Sequence, residues 1–203
     1  DFNDLNVLVR ERESFIIDAD SMQFGPYTTQ VFTAKFVDPL ICDPTARLPV
    51  MVRPHTADTD WYAYLIMLMQ VLLFVGPYGG VHVPADPSKK VSSDARALRR
   101  LTVFNPEVRY PKPARPYGVL PDSLLDYFVQ VFEKDRRGLP PLPLIEGLRF
   151  TTCTKCGSSH ARSVCPSCMH VTKTMQKEVH TGTVSATMVF SCDGVILYAT
   201  LQD

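Results

Sequence analysis

The sequence predicts an α+β chain: a mainly helical body, then a small four-cysteine module, then a β-hairpin. Three observations carry this. Asp58 to Val75 has a polar start, an apolar body and a Gly76-Pro77 stop, the pattern of a helix buried on most sides. Ser123 to Glu133 places Leu124, Leu125, Phe128, Val131 and Phe132 on one helical face. Cys153, Cys156, Cys165 and Cys168 fall within sixteen residues, whereas Cys42 and Cys192 stand alone.

The 203 residues are 45% hydrophobic and 21% charged, enough to bury one ordinary core, with room for one small module beside it. Lys+Arg and Asp+Glu are 21 each, a formal net charge of zero. That balance argues against a wholesale electrostatic partner such as duplex DNA or an anionic membrane. The longest apolar run, Leu65 to Val75, is broken by Gln70 and falls short of the about 20 residues a membrane span needs. Asp1 to Arg12 is charged and is no signal peptide. Beginning at Asp1 in a patterned segment and ending at Asp203 after a strand-like run, the sequence reads as a fragment of a longer protein.

Along the chain, Val7 to Val9 and Phe15 to Ile17 form two short strands joined by the polar turn Arg10 to Glu13. Asp18 to Pro54 reads as a long irregular segment of the functional kind. The Asp58 to Val75 helix follows. Asp86 to Arg100 is polar and basic; Arg96 to Arg100, with Lys89 and Lys90, reads as a solvated helix face in preference to a docking patch. Val103 to Leu120 is proline-rich and extended, with Tyr110 to Pro116 leading into the Ser123 to Glu133 helix. Gly138 to Leu148 holds at most a short helix. Val184 to Phe190 and Val195 to Leu201 flank an Asp193-Gly194 turn signal, a terminal hairpin.

The first chemistry-bearing constellation lies at the start. Asp1 and Asn6 are separated by four residues and run into a strand, and twelve residues beyond Asn6 the second strand delivers Asp18-Ala19-Asp20. Two strands ending side by side present an Asp, an Asn and a second Asp to one small volume. Phosphoryl transfer asks for those parts: a carboxylate at the attacking hydroxyl and oxygen ligands for Mg²⁺. Taken singly, each is a turn or cap residue like most Asp and Asn; the joint spacing is what points to chemistry.

The segment resembles the catalytic loop (H-R-D-L-x-x-x-N) and metal-binding D-F-G turn of the protein-kinase superfamily. Downstream, Phe36-Val37-Asp38-Pro39-Leu40 resembles the A-P-E stretch that closes the activation segment. Thr59-Asp60-Trp61-Tyr62-Ala63 resembles the start of the large central helix, and Val75-Gly76-Pro77-Tyr78-Gly79 its end. Leu120-Pro121-Asp122 through Asp135-Arg136-Arg137 resembles the late helix closing in D-P-x-x-R. The resemblance implies a kinase-like C-lobe over 1–149, most similar to divergent bacterial Ser/Thr kinases, with the N-lobe missing. It implies Asp1, Asn6 and Asp18 as catalytic residues: Asp1 at the substrate hydroxyl, Asn6 and Asp18 on Mg²⁺ with ATP, and Asp20 as an added carboxylate for the cation or a turn cap. The implied activity is phosphoryl transfer to protein Ser/Thr by the intact parent.

Departures qualify the resemblance. Asn3 stands where these kinases carry Lys, and Ala19 and Asp20 replace the Phe and Gly of D-F-G. Leu40 is read at the Glu position of A-P-E, so the family's buried ion pair to a late Arg is not expected, and Arg136 or Arg137 needs another partner. Asp60 is kept as a support for the catalytic loop. Two alternatives stand beside the kinase reading: a pseudokinase scaffold acting through protein interactions, and a small-molecule phosphotransferase of the same superfamily, which the irregular Asp18-Ala19-Asp20 turn suits.

The second constellation is Cys153-x2-Cys156 and Cys165-x2-Cys168, eight residues apart. Two thiolate pairs on tight turns close a tetrahedral site, and Gly157 suits the left-handed turn geometry. Four thiolates predict a structural Zn²⁺ site over 150–172, similar to a zinc ribbon or knuckle; disulfides, unligated thiols or an iron–sulfur centre fit less well. His160 is a spare ligand. Lys155, Arg162, Lys173 and Lys177 make the surroundings basic, but no aromatic residue lies between Cys153 and Lys177, so a staple or protein contact is favoured over nucleic acid. Residues 173–203 form the hairpin. Paired C-x-x-C motifs in such a chain point to a reducing, cytoplasmic setting.

Overall fold

The computed structural model describes residues 2–169. The described part is α+β, helices joined by small two-stranded antiparallel hairpins. The terminal hairpin expected over 184–201 lies outside the described residues, as do Asp1, His170, Lys173, Lys177 and Cys192.

Strands β1 (Val7–Arg10) and β2 (Glu13–Ile16) pair with Leu8 opposite Phe15 and Arg10 opposite Glu13. The turn is therefore tighter than the sequence suggested. Glu11 reaches a φ of 60° to close it, and the Arg10–Glu13 pair joins the ladder instead of the loop.

Helix α1 (Ala57–Leu73) is the centre of the body. Thr56 caps it: its hydroxyl accepts from the Thr59 N–H while the Thr59 hydroxyl accepts from the Thr56 N–H, a reciprocal box that satisfies two otherwise orphaned donors. The helix ends where Phe74 turns left-handed, just before Gly76-Pro77. Tyr62, Leu65, Ile66, Met69 and Leu73 are buried against α2 (Asp122–Phe132), which contributes Leu124, Phe128, Val131 and Phe132. Each such side chain is worth roughly 1.5–3 kcal/mol of burial. A smaller core joins Val37, Ile41, Cys42 and Leu98. Strands β3 (Val81–His82) and β4 (Val108–Arg109) pair with each other, and α3 (Leu142–Glu146) is the expected short helix. At Gly80, φ is 76° and a Cβ would stand 2.5 Å from the Arg109 carbonyl, so only glycine fits the turn into β3.

One expectation is corrected here. Residues 96–100 are not a solvated helix face. They sit in short 3-10 turns in which Arg96 is 1% exposed and donates to the carbonyls of Tyr78, Gly79 and Gly80. The turn after α1 points three carbonyls inward with no helical partner, and a guanidinium on a long stem reaches them from the neighbouring segment. Arg99 donates to the Pro44 and Ala46 carbonyls, and Arg100 pairs with Asp135 at 3.1 Å. Arg96 is thus consumed by the fold and Arg100 half-buried, while Arg99, Lys89 and Lys90 stay exposed.

With Leu40 at the Glu position, Arg136 or Arg137 is expected to need another partner, and Arg137 has one. A buried pair is present, made by Asp38. Its Oδ2 accepts from Arg137 Nε at 2.6 Å and its Oδ1 from Nη2 at 2.8 Å, with Asp38 2% exposed. Asp38, two residues before Leu40, is the group that meets the late Arg. Burial works against the charged guanidinium, but Asp38 more than offsets it and holds Arg137 above its ordinary pKa. The guanidinium also lies over the Tyr62 ring at 4.4 Å. Tyr62 in turn donates to Tyr78, which donates to the Phe132 carbonyl. Of the two aromatics at the helix start, Tyr62 packs in the core as expected, while Trp61 is half-exposed and meets Tyr64 edge-on.

Candidate functional site

The β1–β2 hairpin brings the ends of its two strands together because Val7 faces Ile16 and the Ile17 N–H donates to the Asn6 carbonyl at 2.9 Å. Asn6 and Asp18, twelve residues apart, thereby become neighbours. Asn6 Nδ2 donates to Asp18 Oδ2 at 3.1 Å and to Ser21 Oγ at 3.3 Å. Asn6 is buried, whereas Asp18 and Asp20 are exposed. Asp18 takes a left-handed backbone, φ 67° and ψ 52°, immediately before the 3-10 turn Ala19–Ser21. Asp and Asn tolerate that region better than other non-glycine residues. The Asp18 carboxyl is held below its ordinary pKa, foremost by the Ser21 hydroxyl, then by the Asp20 side chain and the Asn6 amide, so it is ionised at neutral pH.

The loop before β1 is shaped by Asn3. Its buried Oδ1 accepts from the N–H groups of Leu5, at 2.9 Å, and Asn6, at 3.2 Å. Asn3 thus builds the turn that aims Asn6. Asp60 lies in the first turn of α1 and lines a small cavity with Phe2, Gln23 and His55. Partial burial lifts its carboxyl above the ordinary value. Among the described residues no backbone N–H bonds to it, so the support expected of Asp60 is not made by residues 2–169. His55 is buried between Val31, whose carbonyl its Nε2 meets at 3.1 Å, and the Thr59 hydroxyl.

The arrangement is thus an ionised carboxylate that accepts from a buried amide nitrogen, with a second exposed carboxylate two residues on. Ser21 was not singled out in the sequence. Its signal is its place three residues after Asp18, where a hydroxyl returns to the Asp18 carbonyl at 2.9 Å.

The four-cysteine centre is assembled by β5 (Thr151–Thr152) and β6 (Ser159–His160), whose hairpin carries the first C-x2-C pair. Gly157 has φ 72°, the left-handed turn expected of it. The Cys153 N–H donates to the Ser158 carbonyl and the Gly157 N–H to the Cys153 carbonyl. All four sulfurs lie within 4.8 Å of one another, with Cys153–Cys168 and Cys156–Cys165 each at 3.6 Å. A tetrahedron with ~2.3 Å metal–sulfur bonds has edges of ~3.8 Å, so the cluster can hold a metal ion. The backbone N–H groups of Cys156 and Lys155 point at Cys153 and bring its thiol down to about 6, while the surrounding thiols push Cys168 up to about 12. Four sulfurs this close cannot all ionise without a cation between them. His160 is buried and accepts from the Arg162 N–H, outside the ligand set.

The module is docked on the body. The Ala161 N–H donates to the Val119 carbonyl at 2.8 Å, and Arg162 forks onto Asp122 at the start of α2. Asp122 is largely exposed, so Arg162→Ala is expected to cost only about 0.5–1 kcal/mol. A thermal melt checks this, and a loss of several kcal/mol would show that the contact is a main anchor.

Among the described residues no helix is long and apolar enough to cross a membrane. The chain matches no family model, no curated protein and no solved structure.

Proposed function

We propose that this chain carries the metal-binding half of a phosphoryl-transfer site, and that the intact parent transfers phosphate from Mg²⁺-ATP to Ser or Thr of a protein substrate. The observation that supports this reading is the meeting of Asn6 and Asp18 at 3.1 Å beside Asp20. Asp18 and Asn6 would hold Mg²⁺, with Asp20 alongside; the cation supplies charge neutralisation for the nucleotide phosphates. Asp1, at the head of the same loop and outside the described residues, would orient the substrate hydroxyl and accept its proton. An N-lobe in the parent would complete the nucleotide cleft. The four-cysteine centre is read as a closed structural Zn²⁺ site, since four thiolates leave no open position for chemistry, in a protein working in the cytoplasm.

A second reading, a pseudokinase scaffold that binds a partner protein, is favoured by Asn3. The residue at the expected Lys position is buried, its Oδ1 shapes its own loop, and it carries no charge to offer a phosphate.

The test uses the intact protein, following Mg²⁺-dependent nucleotide binding and phosphate incorporation into protein acceptors and small hydroxyl compounds. Transfer to protein that falls at least ~100-fold in Asp18→Ala is expected, a loss of several kcal/mol of charge stabilisation. Nucleotide binding without transfer selects the scaffold, and incorporation into small hydroxyl compounds alone selects a small-molecule phosphotransferase. Unchanged transfer in Asp18→Ala overturns the metal-ligand assignment.

A further inference from the structure

Helix α1 carries Ala57, Asp60, Trp61 and Tyr64 at the spacing i, i+3, i+4, i+7, which puts all four on one face. With Phe2 from the loop before β1 they line a cavity of about 260 Å³, which shares Phe2 and Asp60 with the one at His55. Trp61 and Tyr64 meet edge to face, with 5.8 Å between ring centroids and 89° between planes, so two walls stand at right angles. Phe2 adds a third aromatic group, and the small Ala57 leaves room beside them. All three aromatic residues are half-buried, unlike Tyr62, Phe128 and Phe132, which the core withdraws from water. Asp60 is the one charged residue lining the cavity. Its carboxylate is exposed and takes no hydrogen bond or ion pair from the other described residues. Burial is the leading influence on it, ahead of the amino terminus and His55, which act the other way.

Aromatic faces carry negative charge density, so three of them around a carboxylate attract a cation. An ordinary ammonium fits poorly. It is strongly hydrated and brings three N–H donors, and ring faces cannot replace the hydrogen bonds it would give up to water. A trimethylammonium has no N–H to satisfy, and its methyl groups bury apolar area against the rings while the charge is kept. From this geometry we infer that the α1 face and Phe2 form a binding site for a methylated ammonium group. Trp61, Tyr64 and Phe2 are its walls, and Asp60 supplies the countercharge. A methylated lysine on a protein and a free quaternary amine such as choline carry the same group, and the experiment separates them. The site stands whether or not Asp18 binds a cation.

Trp61 is the chain's single tryptophan, so its fluorescence reports on this site directly. The 203-residue chain is titrated with tetramethylammonium, followed by Trp61 emission and by calorimetry. Binding on the order of 1 mM is expected, with plain ammonium at least about 10-fold weaker. Choline should bind at least about 5-fold more tightly than its neutral analogue with carbon in place of nitrogen, which keeps the methyl groups and loses the charge. By calorimetry, Trp61→Leu and Asp60→Asn should each weaken binding about 5-fold or more. Tyr64→Leu and Asp60→Asn keep the site testable if Trp61→Leu folds poorly. A peptide carrying trimethyllysine, paired with its unmethylated form, identifies the source. Tighter binding of the methylated peptide than of choline assigns the group to a protein, and the reverse assigns it to a free amine. Equal affinity within either pair, charged against neutral or methylated against unmethylated, overturns the inference. Wild-type affinity in Trp61→Leu or Asp60→Asn overturns it too, as does the lack of any response to tetramethylammonium.

Discussion

Stripping metal from the four-cysteine centre is expected to unfold the segment around 151–169 while leaving α1 and α2 helical. The four sulfurs lie within 4.8 Å of one another, and the hairpin that carries Cys153 and Cys156 has only two residue pairs, Thr151–His160 and Thr152–Ser159. So short a ladder has no stability of its own. Metal binding to a structural thiolate site of this type is worth on the order of 10 kcal/mol at neutral pH, so a metal held there would dominate the local balance. Zinc release by a strong chelator, followed by colour reagent and circular dichroism, should show one equivalent of metal and loss of the module's signal with the helical signal retained. The double variant Cys153→Ser, Cys165→Ser should bind no zinc. Stoichiometric zinc in that variant would falsify the assignment. Acid should mimic chelation, because the ligands are thiolates and protonation competes with the metal as pH falls.

Breaking the Asp38–Arg137 pair is the second large effect. The pair joins residues 99 positions apart in sequence, with both side chains withdrawn from water. Removing one partner leaves an uncompensated buried charge, which costs about 3–5 kcal/mol. For a chain of this size each kcal/mol shifts the midpoint by about 2–4 °C, so Asp38→Ala or Arg137→Ala should melt roughly 10 °C early. The double variant Asp38→Leu, Arg137→Met should lose less than the two single changes summed, because it strands no charge. A single variant within 1 kcal/mol of wild type would show that the pair is solvated in solution.

Much of the body was legible in the residues because its signals are local. The apolar run ending at Gly76-Pro77, the stripe of Leu124, Phe128, Val131 and Phe132, and the C-x2-C spacing each act within a few turns of chain. α1 and α2 form within a residue or two of where those signals place them, and the cysteines cluster as their spacing implied. The strands at the start were also readable, although their turn tightened once Arg10 and Glu13 paired.

What the sequence by itself determined is thus the two long helices, the first hairpin, the four-sulfur centre and the nearness of Asn6 to Asp18, since a hairpin closes that gap through neighbours in the chain. The tertiary structure alone decided the fate of the charges. Arg96, read as a surface group, is drawn inside by three carbonyls left open after α1. Arg137, expected to need a partner other than Leu40, finds it in Asp38, 99 positions away. Ser21 is held by the two groups it lies between, the Asn6 amide and the Asp18 carbonyl. The physical reason is common to all three. A charged or polar side chain is placed by whichever buried partner satisfies its hydrogen bonds, and that partner comes from a distant segment or a turn that no local pattern records.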